Sequence, residues 1–221
     1  MDFNILSPMQ VTEVELVASN VPEDDHPQWQ AETVYAAGAR VISTQTHRIY
    51  ESLIDDNSER DPRIDDGSAW LELSVTNRWR AFDQNRSNPA RQANEITYSI
   101  VPTQDCDAIA LFGLTAGSLR IEVWDGALRI YDQRFEMADT GHVVSAYTWF
   151  FGGVVYARQK VVNGFPGYLG HRIDITIDAN GAMAEVGHIV LGRNNLLGRV
   201  LNLPSVRFVS HSRKGYDDFG N

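Results

Sequence analysis

The sequence predicts an all-β protein, a small aromatic-centred β module followed by a β-sandwich or jelly roll, and three observations carry that reading. Short alternating runs rich in Val, Ile, Tyr and Trp recur along the chain and are broken by Gly, Asn, Asp and Pro. Helical periodicity is scarce. In the second half, about eight such runs follow at short, even spacing, as expected for two sheets closing on one core.

Residues 1–25 read as an N-terminal strand and linker. Over 11–17, Val11, Glu13 and Glu15 alternate with Thr12, Val14 and Leu16, which predicts an edge strand before the acidic loop Asn20-Val21-Pro22-Glu23-Asp24-Asp25. Residues 26–75 form the small module. Apolar residues are sparse there, so its core has to come from Trp29, Tyr35, Val41, Tyr50 and Trp70 stacking together, each ring burying far more area than an aliphatic side chain.

Residues 76–209 form the sandwich. Its expected strands are 96–101, 108–114, 118–125, 128–135, 142–151, 154–161, 171–177 and 184–191. Asp125-Gly126 signals a tight hairpin, because such turns need positive φ, and Asp178-Ala179-Asn180-Gly181 repeats the signal. The tail, 210–221, has no apolar periodicity and cannot offset its own ordering entropy, which makes it either a frayed end or a docking arm.

Composition narrows the partners. The net charge of -10 and the pI near 5.0 repel phosphate backbones, and the basic residues are spread out, so nucleic acid is not expected. No apolar run approaches the ~18 residues that span a bilayer, and Met1-Asp2-Phe3-Asn4 lacks the positive start of a secretory signal. Cys106 is the single cysteine, which rules out an intrachain disulfide and is compatible with folding in a reducing cytoplasm.

Catalytic and metal-binding patterns are missing. His26, His47, His142, His171, His188 and His211 are scattered, with no pair spaced to put two ligands on one face. Asp65-Asp66-Gly67 and Asp105-Cys106-Asp107 do not complete a calcium-loop series and read as solvated turns. Asp218-Phe219-Gly220 matches a kinase magnesium motif without the glycine-rich loop or catalytic loop that would accompany it. Two aspartates flank Cys106 and would raise its pKa, making a poor nucleophile. A glycoside hydrolase needs two carboxylates at a set separation, and plentiful Asp and Glu are the sole support for that third reading. The expectation is therefore no enzyme, no metal and no cofactor.

Two groups of residues remain as candidates. Trp29, Tyr35, Tyr50 and Trp70 could present rings to the C–H faces of a sugar, while the same rings are needed to build the module's core, which is the expected job. Arg78, Trp79 and Arg80 could form a cation–π ladder joining the two domains, or Trp79 could start the sandwich core beside Phe82.

The ordered series Trp29, Tyr35, Gly38, Val41, Tyr50, Pro62 and Trp70 resembles the chitin-binding type of small carbohydrate-binding module over roughly a fifth of the chain. Those modules follow the second Tyr with an exposed aromatic run, where this chain has Glu51-Ser52-Leu53-Ile54-Asp55-Asp56. The whole chain resembles a family of tailed-bacteriophage tail proteins that begin with such a module and continue into a β-sandwich. The blocks that carry this are Asn20-Val21-Pro22-Glu23, Thr76-Asn77-Arg78-Trp79-Arg80-Ala81-Phe82-Asp83, Val186-Gly187-His188-Ile189-Val190-Leu191-Gly192, and Ser212-Arg213-Lys214 with Asp217-Asp218-Phe219-Gly220-Asn221.

The resemblance implies a galactose-binding-like sandwich and a place in the virion, at the tail tip or baseplate, in a protein made in the host cytoplasm. It implies packing on other tail and baseplate proteins in rings of three or six copies. Arg213, Lys214, Asp217, Asp218 and Phe219 would then make assembly contacts. A host-surface glycan is a further implied partner, and a receptor-recognising carbohydrate-binding module is the alternative to a purely structural role.

Overall fold

Side chains that alternate between core and solvent build this chain into strands, and long-range pairing decides where each one ends. The structure is a computed structural model that describes residues 2–85, 87–139, 146–151 and 155–199. In chain order its elements begin with β1 (Asp2–Met9), β2 (Leu16–Ser19), β3 (Arg40–Ser43), β4 (Arg48–Ser52) and β5 (Trp70–Val75), and a 3-10 turn over Asn77–Phe82 follows. The larger part comprises β6 (Ala90–Ile100), β7 (Ala108–Phe112), β8 (Ser118–Asp125), β9 (Leu128–Glu136), β10 (Ala138–Asp139) and the short helix α1 (Ala146–Phe151). It ends with β11 (Val155–Tyr156), β12 (Gln159–Asn163), β13 (Arg172–Val186) and β14 (His188–Arg199).

The fold is all-β. A five-stranded sheet, in the order β2-β6-β13-β8-β9, and a four-stranded sheet, β1-β14-β7-β12, supply the two faces of one core. On the five-stranded side, β6 turns in Ile96, Tyr98 and Ile100, β8 turns in Leu119, Ile121 and Val123, and β13 turns in Ile173, Ile175 and Ile177. Ile109, Leu111, Ile189 and Leu191 answer from the other sheet. Each such side chain contributes about 1.5–3 kcal/mol relative to staying exposed. The intervening positions 172, 174 and 176 of β13 are only half-buried, as a period of two requires.

Residues 40–75 hold a separate small sheet, β3-β4-β5. Its core is Val41, Tyr50, Ala69 and Trp70, with Trp29, Tyr35 and Ile54 packed around them. Loop polar groups complete it. The Asp65 carboxylate accepts the backbone N–H groups of Gly67, Ala69 and Trp70 at 2.9, 3.1 and 3.0 Å. Burial alone would raise the pKa of Asp65, but these three donors outweigh it and hold the carboxyl below its ordinary value.

By internal contacts the chain divides into Leu6–Asn194, which contains both the small module and the sandwich, and Met1–Ile5 with Asn195–Asn221. The described part of the second unit consists of the first residues of β1 and the last of β14.

The strand pattern corrects several sequence expectations. The predicted strand over 11–17 is instead a turn at Thr12–Glu15 followed by β2, because Glu15 and Leu16 donate back to the Thr12 carbonyl. The Glu15 carboxylate also bonds the Thr12 hydroxyl and N–H, which lowers its pKa. The predicted strand over 142–151 holds α1 at 146–151. Its flanking strands, β10 and β11, pair with one another.

The hairpin at Asp125-Gly126 forms as predicted, with Asp125 opposite Leu128 and φ of 57° at Gly126. At Asp178-Ala179-Asn180-Gly181 no hairpin forms. β13 runs on as one strand with a bulge, advancing five residues (178 to 183) while β6 advances two (95 to 93). The positive φ values of Asn180 (52°) and Gly181 (88°) serve that bulge.

Cys106 is fully buried beside the 163–171 loop, where its N–H donates to the Gly167 carbonyl at 2.6 Å. Burial pushes its thiol up to about 11.

Two tests follow from this packing. A Cβ at Gly192 would sit 1.9 Å from the backbone oxygen of Ser7, so β1 and β14 would have to part. Gly192→Ala is expected to cost about 1–3 kcal/mol in chemical denaturation, whereas Gly198→Ala, where nothing lies within 4 Å, should leave the midpoint nearly unchanged. For Asp65, a lowered folded pKa means stability that is full above the ordinary value of 3.8 and lost as pH falls through the folded value. The midpoint difference between wild type and Asp65→Asn should therefore be constant near neutrality and close on acidification; a difference that widens below pH 4 would contradict the assignment.

Candidate functional site

The bulge in β13 opens a cleft at one end of the sandwich. Ala179, Asn180 and Ala182 form one wall, the 114–117 loop between β7 and β8 forms the floor, and Tyr156 and Arg158 close the far side, around about 430 Å³. That is within the range of small-ligand sites.

Backbone bonds fix these walls. Gly117 donates to the Asp178 carbonyl at 2.7 Å and accepts from Met137 at 2.9 Å. Met137 in turn accepts from Ala157 at 2.7 Å, and Leu114 donates to the Arg158 carbonyl at 3.0 Å. Thr115 and Glu185 exchange backbone bonds of 2.9 and 3.2 Å, and the Thr115 hydroxyl donates to the Glu185 carboxylate at 3.1 Å. Arg91 pairs with that carboxylate at 2.8 Å.

Asn180 sits in the cleft because two neighbours are suited to it. Its N–H is held by the Asp178 carboxylate at 2.8 Å. The missing side chain at Gly117 leaves room for it, since a Cβ there would lie 2.1 Å from Asn180 Nδ2 and 2.9 Å from its Cγ and would displace that side chain.

The cleft offers one ring and several donors. Tyr156 is 45% exposed, and among the described residues its ring packs on no other ring and the Arg158 guanidinium has no ion-pair or hydrogen-bond partner. Leu114 and Ala116 make the base apolar. Among the described lining residues there is no carboxylate, histidine or cysteine. A ring face, an amide, a hydroxyl and a guanidinium over an apolar floor can hold a polyhydroxylated ligand.

None of the lining residues is a binding candidate in the sequence reading. The Asp-Ala-Asn-Gly signal that builds one wall was legible, but it reads locally as a turn, and only the pairing of β13 with β6 and β8 turns it into a bulge.

The sequence-derived aromatic group lies elsewhere, in the small module. Trp70 and Tyr50 are buried, 3% and 5% exposed, and Trp70 donates its indole N–H to the Arg60 carbonyl at 2.9 Å. Tyr35 meets Trp70 edge to face at 5.3 Å between centroids, and its hydroxyl is tied to the backbone of Gln30. Trp29 is half-buried, with the Arg63 guanidinium 5.8 Å over its ring. The structure thus brings Tyr35, Tyr50 and Trp70 into one cluster with Trp29 at its border.

Arg78, Trp79 and Arg80 occupy the 3-10 turn at the seam between module and sandwich. Arg80 pairs with Asp25 at 2.5 Å and Asp25 also accepts the Asn77 N–H at 2.8 Å. Arg78 donates to the Val21 carbonyl at 2.8 Å, and its own carbonyl accepts the Tyr98 hydroxyl at 3.0 Å. Trp79 stacks on His47 at 4.4 Å, and His47 bridges Glu13 and Glu23 through its two ring nitrogens, at 2.5 and 2.7 Å. Arg213, Lys214, Asp217, Asp218 and Phe219 lie outside the described residues, as do His142 and His211.

Among the described residues no group of three or more His, Cys, Asp or Glu is placed to hold a metal ion. No helix among them is long and apolar enough to cross a membrane.

No family model and no curated protein matches the chain. Among solved structures it is similar to the lectin domain of lectinolysin complexed with Lewis b antigen, at 9% identity and a TM-score of 0.36, over 52% of this chain and 82% of that one. It is also similar to an F5/8 type C domain from Bacteroides fragilis, at 11% identity and a TM-score of 0.35, over 53% and 80%. A chitosan-binding module of a chitosanase/glucanase from Paenibacillus sp. IK-5 matches at 13% identity and a TM-score of 0.32, over 52% and 83%. At such values what these neighbours bind does not transfer to this chain.

One test of the cleft's construction needs no ligand. Gly117→Ala should displace the Asn180 side chain while leaving the strands intact, seen as amide NMR shifts confined to the 114–117 loop and the bulge. Shifts spread through β6 and β8 would show that Gly117 supports the sheet and not the cleft wall.

Proposed function

We propose that this protein is a non-enzymatic, glycan-contacting module of a tailed-phage virion, and that the cleft at the β13 bulge is where the glycan sits. The observation that carries the reading is the pairing of an unstacked Tyr156 ring with an unpaired Arg158 and the Asn180 amide over an apolar floor. A sugar ring lays its C–H face on an aromatic ring and its hydroxyls on amide and guanidinium donors. The lone cation favours a glycan carrying a carboxylate, because a guanidinium and a carboxylate make charge-assisted, two-pronged bonds. The phage setting is supported by the ordered sequence blocks.

A structural role at the tail tip or baseplate, packing on neighbouring virion proteins in a three- or six-fold ring, is compatible with glycan contact and supplies its multivalency. The seam network around the 3-10 turn favours it, since it supports the rigid mounting such a role requires.

Binding of the purified protein to arrays of acidic and neutral bacterial surface oligosaccharides tests the reading. Acidic glycans are expected to bind, with affinity falling as salt is raised. Arg158→Ala should weaken binding by roughly 10–100-fold and Tyr156→Ala by about tenfold, while Trp29→Ala should leave it unchanged. Loss on Trp29→Ala alone would move the site to the module, and silence across the array would remove the glycan role. Absence of the protein from purified particles by mass spectrometry would remove the virion setting.

A further inference from the structure

One imidazole fastens the small module to the chain that precedes it. His47 stands in the turn between β3 and β4, at a φ of 55°, and its carbonyl accepts the Thr76 N–H at 2.9 Å, so the root of its side chain is fixed. The ring stacks on Trp79 at 4.4 Å between centroids. Its two nitrogens meet carboxylates from two different stretches of chain, Nδ1 at 2.7 Å from Glu23 and Nε2 at 2.5 Å from Glu13.

That arrangement depends on a proton. A carboxylate oxygen only accepts, so each contact needs an N–H on the ring. The imidazolium has two and donates to both carboxylates. The neutral ring has one, and its other nitrogen turns a lone pair on the facing oxygen.

Burial and anchoring decide which contact is given up. The Glu23 side chain is 7% exposed and that of Glu13 64%. Leaving a buried carboxylate short of a donor costs more than returning an exposed one to water. Glu23 is also held where it is, by the Thr76 hydroxyl donating at 2.7 Å and by Arg78 at 3.8 Å, whereas the ring is the one ion-pair partner of Glu13 among the described residues.

The other charged groups around the ring have partners of their own. Arg48, next in the chain, pairs with Glu72 at 3.1 Å, and Asp25 pairs with Arg80 at 2.5 Å. Asp83, which lines the same surface hollow as the ring, accepts the Asn85 N–H at 3.4 Å.

We propose that His47 is a proton-operated latch: charged, it ties the Thr12–Glu15 turn to the module through Glu13, and neutral, it keeps Glu23 and lets Glu13 go. The turn leads into β2 of the five-stranded sheet, so the latch sets how firmly the module grips the sandwich side. The bonds of Arg80 to Asp25 and of Arg78 to the Val21 carbonyl hold in both states, and the rest of the seam stays closed. This goes beyond the glycan reading and does not depend on it, because no latch residue lines the cleft.

NMR of the full 221-residue chain over a pH series tests the latch. The ring C–H resonances of His47, assigned by their loss in His47→Gln, report its proton, and NOEs from those hydrogens to the Glu13 side chain report the contact. The NOEs should be present on the charged ring and vanish with the same midpoint as the ring is neutralised. Glu13→Gln, a change at an exposed side chain, is the control. A carboxamide accepts from the charged ring and donates to the neutral one, so its NOEs should persist throughout the titration. Wild-type NOEs that survive on the neutral ring would overturn the proposal, as would their absence from the charged ring. NOEs lost in Glu13→Gln at the same pH as in wild type would also overturn it, by assigning the change to the turn itself. A ring that stays charged until the protein unfolds would leave nothing to operate the latch and would overturn it too.

Discussion

The double pairing of β13 is the constraint on which the larger unit rests. It is hydrogen-bonded to β6 on one side and β8 on the other, and three of its isoleucines lie in the core. A strand held on both edges over 172–178 cannot change register there without inverting its inner and outer faces, so extra residues fall past Asp178, where the ladder with β8 ends and β6 carries the strand on. They are absorbed between 178 and 183, and that irregularity turns a plain sheet edge into a shaped cleft. Fold and candidate site therefore share one cause: the sheet's insistence on its register forces the wall of the cleft outward.

Legibility from the sequence followed the range of the interactions. Strands whose inward face is uniformly aliphatic, such as β8 with Leu119, Ile121 and Val123, were visible because period-two alternation is a local property. The Asp125-Gly126 turn was visible for the same reason. What a single segment could not reveal was what lay opposite. The Asn180-Gly181 pair carries the local signature of a turn, yet β6 pairs with the chain both before and after it and leaves a bulge. Thr12 to Glu15 alternates like a strand, but a carboxylate folding back on its own backbone wins. Tyr156 and Arg158 lie at the end of a two-residue strand, too short for any periodicity, and they meet Asn180 only through tertiary structure.

Aromatic rings are used differently at the seam and at the bulge. Around the seam, Trp79 stacks on His47 and meets Phe82 edge to face, and Phe82 meets Tyr98 in the same way. At the bulge the tyrosine is unstacked and beside an unpaired guanidinium. The small module resembles the seam in this respect, with Tyr35, Tyr50 and Trp70 turned inward and their polar tips tied to loops or to Thr46. Aromatic residues that look alike in sequence are therefore covered by a neighbour in one place and left open in another.

Cys106 has a consequence of a different kind. A lone thiol that is fully enclosed and held at about 11 offers almost no thiolate at neutral pH, and thiolate is the form that attacks peroxides and disulfides. The thiol of Cys106 thus stays as it is whether its surroundings reduce or mildly oxidise. Copies synthesised in one redox environment and used in another would not cross-link through that position.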